Sequence, residues 1–141
     1  MKKLFIITLL NCFIATSSFS QEIGLNIGDK APALAYKSPN GKNLKLSSLK
    51  GKLVLIDFWA SWCAPCQNMV PVFSKVAQSS PSLLFAKVNT EQVQQLSADA
   101  NIRSLPTLVF FHQGKEVDRI SGGLNEAQMK QWIMQCVSKV T

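Results

Sequence analysis

The chain has 141 residues, enough for one domain with a packed core and too few for two domains of ordinary size. Its content of 47% hydrophobic and 16% charged residues is typical of a globular protein and excludes a largely disordered chain. The formal net charge of +7 comes mostly from lysines scattered singly along the chain, without a basic stripe or an aromatic-basic motif. We therefore expect no nucleic-acid partner.

The first 20 residues have the pattern of a secretory signal peptide. Two lysines follow the first methionine, residues 4–15 are largely apolar, and small residues stand at Ser18 and Ser20, where a signal peptidase reads them. The apolar run is about 12 residues long, whereas a membrane-spanning helix needs roughly 20. We therefore predict cleavage after Ser20, which leaves a single domain of residues 21–141.

A cleaved secretory signal predicts an exported protein, here a periplasmic one, which works where thiols meet disulfides and oxidants. Cys12 raises the alternative of a lipid anchor attached to that cysteine. The residue before it is Asn11 rather than a small apolar one, and the apolar run continues past it, so the sequence favours cleavage over lipidation. Both outcomes place the domain outside the cytoplasm.

The mature chain predicts alternating strands and helices. Residues 33–36 and 43–46 indicate an N-terminal β-hairpin, because they flank an Asn-Gly turn signal. Residues 53–59 form an almost uninterrupted apolar run, typical of a central strand covered on both faces. The other predicted elements are a turn over 47–51, a helix from Ala64, a strand over 83–88, a short helix over 93–100, strands over 106–111 and 116–120, and a helix from about Glu126 behind an Asn125 cap. This order predicts an α/β domain of three layers with a mixed central sheet flanked by helices.

Two cysteines separated by two residues mark the predicted reaction centre. Cys63 and Cys66 lie where the buried strand gives way to a helix. The unpaired amides and the positive dipole end of a helix N-terminus favour a thiolate at Cys63 and make it a nucleophile. Cys66 follows one turn later on the same face, where it can attack a mixed disulfide formed at Cys63. We expect an exposed Cys63, a shielded Cys66 and no cofactor other than this redox-active disulfide.

The cysteine pair has two plainer interpretations. The first is half of a zinc site, but zinc needs three or four ligands, and the rest of the mature chain offers only Cys136 and His112. The second is a structural disulfide, but closing so short a loop gains little chain entropy. The apolar face of the last helix assigns Cys136 to the core, and His112 is expected to be exposed beside a turn.

Three further residues near the pair are candidates for function. Asp57 interrupts the apolar central strand, so it lies either at a wet strand end or buried with a raised pKa. Buried beneath Cys66, it would accept the proton that this thiol must lose before it attacks. Trp59 and Trp62 belong either to the core or to the surface on which a partner docks, and we assign Trp62 to substrate binding.

The segment around the cysteines resembles a known family. Residues 57–66 are similar to the thioredoxin active-site segment almost position for position, with Ala64 where thioredoxins usually have glycine. Residues 85–89 and 102–111 resemble the thioredoxin segments that follow it, and the similarity to the thioredoxin superfamily extends over about residues 25–140. The resemblance implies a thioredoxin-like fold and thiol-disulfide oxidoreductase activity.

The resemblance also implies the remaining site residues. It implies that Lys87 lies near the buried Asp57 and that the Leu105–Pro106 peptide bond is cis. It further implies that the Leu105 backbone pairs with a bound partner and that Gly122 belongs to a glycine region beside the active site. Leu105, Pro106 and Gly122 therefore join the predicted substrate-binding residues.

The front of the mature chain departs from plain thioredoxin. Residues 28–32 and the hairpin after them are similar to TlpA-like extracytoplasmic reductases and to peroxiredoxins, whose threonine-plus-cysteine peroxide motif is not found here. The resemblance implies a monomer that exchanges disulfides with exported proteins and takes electrons from a membrane or soluble thiol donor. Ala-Pro between the cysteines resembles reductases more than strong oxidants. A disulfide-introducing oxidase remains open, as does a redox-inert binding module, although such a module needs neither cysteine.

Overall fold

The computed structural model describes residues 27–28, 30–31, 33, 35–37 and 43–141. Its elements are, in chain order, β1 (Ala35–Lys37), β2 (Asn43–Lys45), a 3-10 helix (Leu46–Leu49), β3 (Leu53–Trp59), α1 (Ala64–Gln78), β4 (Leu83–Asn89), α2 (Gln94–Asp99), β5 (Thr107–His112), β6 (Lys115–Ser121) and α3 (Glu126–Ser138). The predicted signal peptide, its cleavage site and Cys12 lie outside the described residues. None of the helices in the described ranges is sufficiently long and apolar to cross a bilayer.

The main sheet has four strands in the order β4-β3-β5-β6. β3 runs parallel to β4 and antiparallel to β5, and β5 pairs antiparallel with β6. The apolar run predicted as a central strand is β3, which lies between two partners and buries its five middle residues. Hydrogen bonds to β4 and β5 hold β3 on both sides, so its last residue also has a fixed position in the sheet.

Two apolar clusters cover the two faces of this sheet. Successive residues of a strand point to opposite faces, so each central strand contributes to both clusters. The buried residues on the first face come from the sheet, α1 and α3: Leu55, Met69, Phe73, Val76, Leu108, Phe110, Met129, Trp132, Ile133 and Cys136. Those on the second face are Leu46, Val54, Ile56, Phe58, Val88, Ala100, Val109 and Phe111. The predicted three-layer α/β fold with a mixed sheet is confirmed.

The N-terminal hairpin forms a separate two-stranded sheet of β1 and β2, as predicted. Its turn lies outside the described residues. Residues before the hairpin bond to the main sheet near the turn between β5 and β6. The Gly28 amide donates to the Glu116 carbonyl and the Ala31 amide donates to the Gly114 carbonyl, both at 2.8 Å. The hairpin thus joins the domain next to the turn between β5 and β6.

Some predicted boundaries are wrong by a few residues. Leu46, expected at the end of a strand, instead begins the 3-10 helix, because its side chain packs into the second apolar cluster. β5 begins at Thr107 rather than Pro106, since proline has no amide hydrogen to give to a strand ladder. The start of α3 is as predicted: the Asn125 side chain accepts from the Gln128 amide, and the Gln128 side chain accepts from the Asn125 amide, both at 2.9 Å.

Candidate active site

Cys63 and Cys66 form a disulfide at the junction of β3 and α1, with their Cα atoms 5.2 Å apart. Cys63 is the N-cap residue of α1, and its sulfur accepts a hydrogen bond from the Cys66 amide at 3.2 Å. Pro65 stands in the first turn, where a helix has no use for an amide donor. The helix end therefore presents a donor to the Cys63 sulfur, which is the arrangement that stabilises a thiolate once the disulfide opens.

The burial of the two cysteines differs from expectation. In this disulfide-bonded form Cys63 is only 4% exposed and Cys66 1% exposed, so the prediction of an exposed Cys63 is wrong. The two residues pack with the buried Ala60 and with Trp59 and Leu105, which cover the sulfurs. Position relative to the helix, rather than exposure, separates their roles: Cys63 caps α1, and Cys66 is its third residue.

A buried carboxylate lies on the face of β3 that α1 covers. Asp57 is fully buried, and the Lys87 ammonium lies 3.2 Å from its Oδ2 atom. Neither carboxylate oxygen has a hydrogen-bond partner among the described residues. Burial raises the pKa of Asp57, and the positive charge of Lys87 offsets part of that effect. The Lys87 ammonium also lies 5.2 Å from the centre of the Trp59 ring and 5.5 Å from that of Phe73, so two aromatic rings help to hold it in place.

The predicted substrate-binding residues come together around the disulfide. The Leu105–Pro106 peptide bond is cis, as the resemblance implied. Leu105 packs against the cysteines, and the Pro106 carbonyl accepts from the Gly122 amide at 2.8 Å. Gly122 has a φ of +102°, a conformation that favours glycine. The segment before β5 and the segment after β6 are therefore fastened together beside the pair.

Other sequence candidates have different surroundings. Trp62 is 71% exposed, whereas Trp59 is half-buried, so Trp62 is the tryptophan available at the surface. Cys136 is fully buried in the first apolar cluster, and burial raises its pKa to about 12. His112, expected to be exposed, is half-buried at the end of β5. Within the described ranges, no group of three or more His, Cys, Asp or Glu side chains is placed to hold a metal ion.

Sequence reasoning missed two residues that contact the turn before Cys63. The Glu91 carboxylate accepts a hydrogen bond from the Ser61 amide, and the Gln67 side chain donates to the Ser61 carbonyl, both at 2.6 Å. Glu91 is 30 positions away from Ser61 in the chain. The parallel pairing of β3 with β4 makes the contact possible, and no spacing in the sequence marks it.

Comparison with known proteins places these features in a family. The Thioredoxin family model matches residues 40–135. Thioredoxin C-3 of Corynebacterium nephridii is 50% identical over 82 residues, which are 58% of this chain and 57% of that protein. Thioredoxin H-type 1 of Nicotiana tabacum is 38% identical over 90 residues, 64% of this chain and 71% of that protein. This chain thus spans little more than half the length of the C-3 thioredoxin.

The fold has a solved counterpart as well. The crystal structure of Fasciola hepatica thioredoxin superposes with a TM-score of 0.60 at 39% sequence identity, and the match covers 64% of this chain and 86% of that one. The relatives and the bonded cysteine pair together support thiol-disulfide oxidoreductase chemistry. The chain belongs to the thioredoxin family.

Proposed function

We propose that this protein is a protein-disulfide reductase that acts on exported proteins. The Cys63 thiolate attacks a target disulfide, one target sulfur leaves as a thiol, and a mixed disulfide joins Cys63 to the other. The Cys66 thiolate then attacks the Cys63 sulfur, releases the second target thiol and closes the Cys63–Cys66 disulfide. Two electrons pass from the pair to the target. The observation that carries the proposal is the disulfide at the N-terminus of α1.

The assignment of roles within the pair follows from the helix geometry. The Cys66 amide already donates to the Cys63 sulfur at 3.2 Å, and this donor favours negative charge on Cys63. Cys66 is the third residue of the helix, and both cysteines are almost completely buried in the disulfide form, so position along the helix and not exposure distinguishes them. Cys63 is therefore the nucleophile and Cys66 the resolving thiol.

Asp57 is the proposed proton acceptor for the resolving step. Burial raises the pKa of this carboxyl toward the range in which it can take a proton from a thiol and return it to water. Lys87 keeps part of the charge balanced and remains partly open to solvent, which gives the proton a route outward. The two residues act on the reaction through Cys66 and do not contact the target protein.

The surface around Cys63 suits a polypeptide substrate. Trp62, directly before Cys63, exposes a large, rigid apolar ring, and Leu105 packs against the cysteine pair. We propose that an extended segment of the target pairs with the Leu105 backbone and rests against Trp62, with Gly122 leaving room for it. The proposed partners are disulfide-bearing or thiol-bearing exported proteins and a membrane or soluble thiol donor. The protein acts as a monomer, and its proposed redox group is the Cys63–Cys66 pair.

The reduction potential of the pair tests the direction of the reaction. The purified protein is equilibrated in dithiothreitol or glutathione buffers of stepped potential, and the fraction of the Cys63–Cys66 disulfide is followed. A reductase predicts a value near about −270 mV, the range of thioredoxins, whereas a value near about −120 mV would indicate an oxidase. Failure of the reduced protein to cleave any disulfide would indicate a redox-inert binding module.

A further inference from the structure

A tight turn joins β3 to the reactive cysteine. The Cys63 amide donates to the Ala60 carbonyl at 3.2 Å, which leaves Ser61 and Trp62 as the two central residues of the turn. In such a turn the amide and the carbonyl of the first central residue have no partner within the turn itself. The position of Trp62, which is largely exposed, depends on how firmly this turn is held.

Side chains from two other elements bind both free groups of Ser61. The Glu91 carboxylate accepts from the Ser61 amide, and the Gln67 amide group donates to the Ser61 carbonyl, both at 2.6 Å. Glu91 follows β4, whereas Gln67 belongs to α1. The first of these hydrogen bonds has a charged acceptor, which makes it stronger than a neutral one, and it lowers the pKa of Glu91. We call Glu91 and Gln67 the turn clamp.

Further hydrogen bonds hold the segment that carries Glu91. The Glu91 amide donates to the Asn89 side chain at 2.8 Å, which orients the backbone of Glu91. The Thr90 amide and hydroxyl both donate to the Trp59 carbonyl, at 2.9 and 3.3 Å. The chain after β4 is therefore tied to the end of β3 before Glu91 reaches across to Ser61.

We propose that Glu91 and Gln67 are positioning residues of the disulfide exchange, which fix the turn so that Trp62 and the Cys63 sulfur are presented together to a protein substrate. The proposal rests on the proposed function. A protein substrate contacts both Trp62 and the sulfur, so it senses a displacement of one relative to the other. A small disulfide contacts the sulfur alone. Loss of the clamp therefore slows reaction with proteins more than reaction with small molecules.

The test compares Glu91→Ala, Glu91→Gln and Gln67→Ala with two control variants on α2. The controls are Asp99→Ala and Gln95→Ala, which break a matched carboxylate-amide contact of 2.8 Å on the exposed surface. Second-order rates are measured for the reduced proteins with insulin and with the small disulfide dithiobisnitrobenzoate. We expect Glu91→Ala and Gln67→Ala to lower the insulin rate by about threefold to tenfold, and the small-disulfide rate by less than about twofold. Glu91→Gln keeps an acceptor oxygen and stays within about twofold for both.

Every other outcome would contradict either the positioning role or the proposed function. Insulin rates that stay unchanged in both alanine variants, while the parent protein is active, overturn the positioning role and leave the proposed function intact. The positioning role is also overturned if the small-disulfide rate falls as much as the insulin rate, or if the α2 controls lose as much insulin rate as the clamp variants. Equal losses in Glu91→Gln and Glu91→Ala overturn the hydrogen-bond explanation. A parent protein that reduces neither substrate refutes the proposed function itself.

Discussion

Asp57 is a charged residue in surroundings that oppose its charge. It is fully buried, its two oxygens have no hydrogen-bond partner among the described residues, and its neutralising partner Lys87 is about one-third exposed. An ion pair recovers little of the desolvation cost when one partner keeps its water. A carboxylate in this position therefore destabilises the fold, a cost that agrees with the proton-transfer role proposed for it.

The variant Asp57→Asn is expected to be more stable at neutral pH by roughly 1 kcal/mol or more. Because burial raises the pKa of Asp57, the folded protein binds more protons than the unfolded chain, and parent stability falls as pH rises from about 3.9 to the raised value. The stability gained by Asp57→Asn is therefore absent below this pH range and complete above it. Urea unfolding at acidic and at neutral pH measures the difference.

The same variant is expected to exchange disulfides more slowly near neutral pH, since Cys66 loses its proton acceptor. The rate of mixed-disulfide resolution is compared with that of the parent between about pH 6 and 9. If the two pH profiles coincide, Asp57 has no role as a base, and only its effect on stability remains.

At the level of elements, the sequence predicts best where one local pattern decides the outcome. β3 has the predicted bounds because a continuous apolar run can be satisfied only between two covered faces. α3 starts where the capping residues Asn125 and Gln128 indicate, since a capping box involves four consecutive residues alone. The Cys63–Cys66 site could be predicted for the same reason, because its chemistry depends on a strand end and a helix start that both lie within the local sequence.

What escaped prediction depends on contacts between distant segments. Glu116 lies near the start of the edge strand β6, yet it is buried, and Arg119 donates to its two oxygens at 2.5 and 2.6 Å. Arg119 is in turn held by the carbonyls of Ala100 and Asn101, each at 3.2 Å. Glu116 and Arg119 are only three positions apart, but the bonds from Arg119 to the two carbonyls join distant segments, as does the contact of Glu91 with Ser61. Such contacts arise from the arrangement of the elements in the fold, which local periodicity does not encode.

The capping box supplies a prediction for α3. Asn125→Ala removes the side-chain acceptor of the Gln128 amide and is expected to lower the free energy of unfolding by about 1 kcal/mol. Ser138→Ala, which removes a hydroxyl that donates to the Gln135 carbonyl near the end of the same helix, is the control and should change it much less. Equal losses in the two variants, measured by urea unfolding, would contradict the assigned cap.

On the scale of the whole molecule, the N-terminal chain and the cysteine pair lie at opposite ends of the sheet. The chain enters beside Gly114, in the turn next to the start of β3, whereas the cysteines follow the end of β3. Seven strand residues separate the two ends, a distance of roughly 20 Å. The cysteine pair therefore lies at the end of the sheet opposite to the one at which Gly28 and Ala31 attach.

The predicted export is tested by the residue at which the mature protein begins. We expect the mature protein to begin near Gln21, because the preceding apolar run is short and ends in small residues. The intact mass of the protein recovered from the exporting host measures the start. Retention of Lys2 and Lys3, or the mass of a lipid on Cys12, would contradict the predicted processing.

The unequal roles of the two cysteines are the central claim, and trapping of mixed disulfides tests it most directly. Cys63→Ser and Cys66→Ser are expressed in the exporting compartment, free thiols are blocked, and non-reducing gels are compared with reducing gels. Cys66→Ser should retain covalently bound partners, because the attack at Cys63 proceeds and nothing resolves it. Cys63→Ser should retain few, since Cys66 lies inside α1 and lacks the N-cap position and the amide donor that favour a thiolate at Cys63. Equal trapping by the two variants, or trapping through the buried Cys136 alone, would contradict the mechanism.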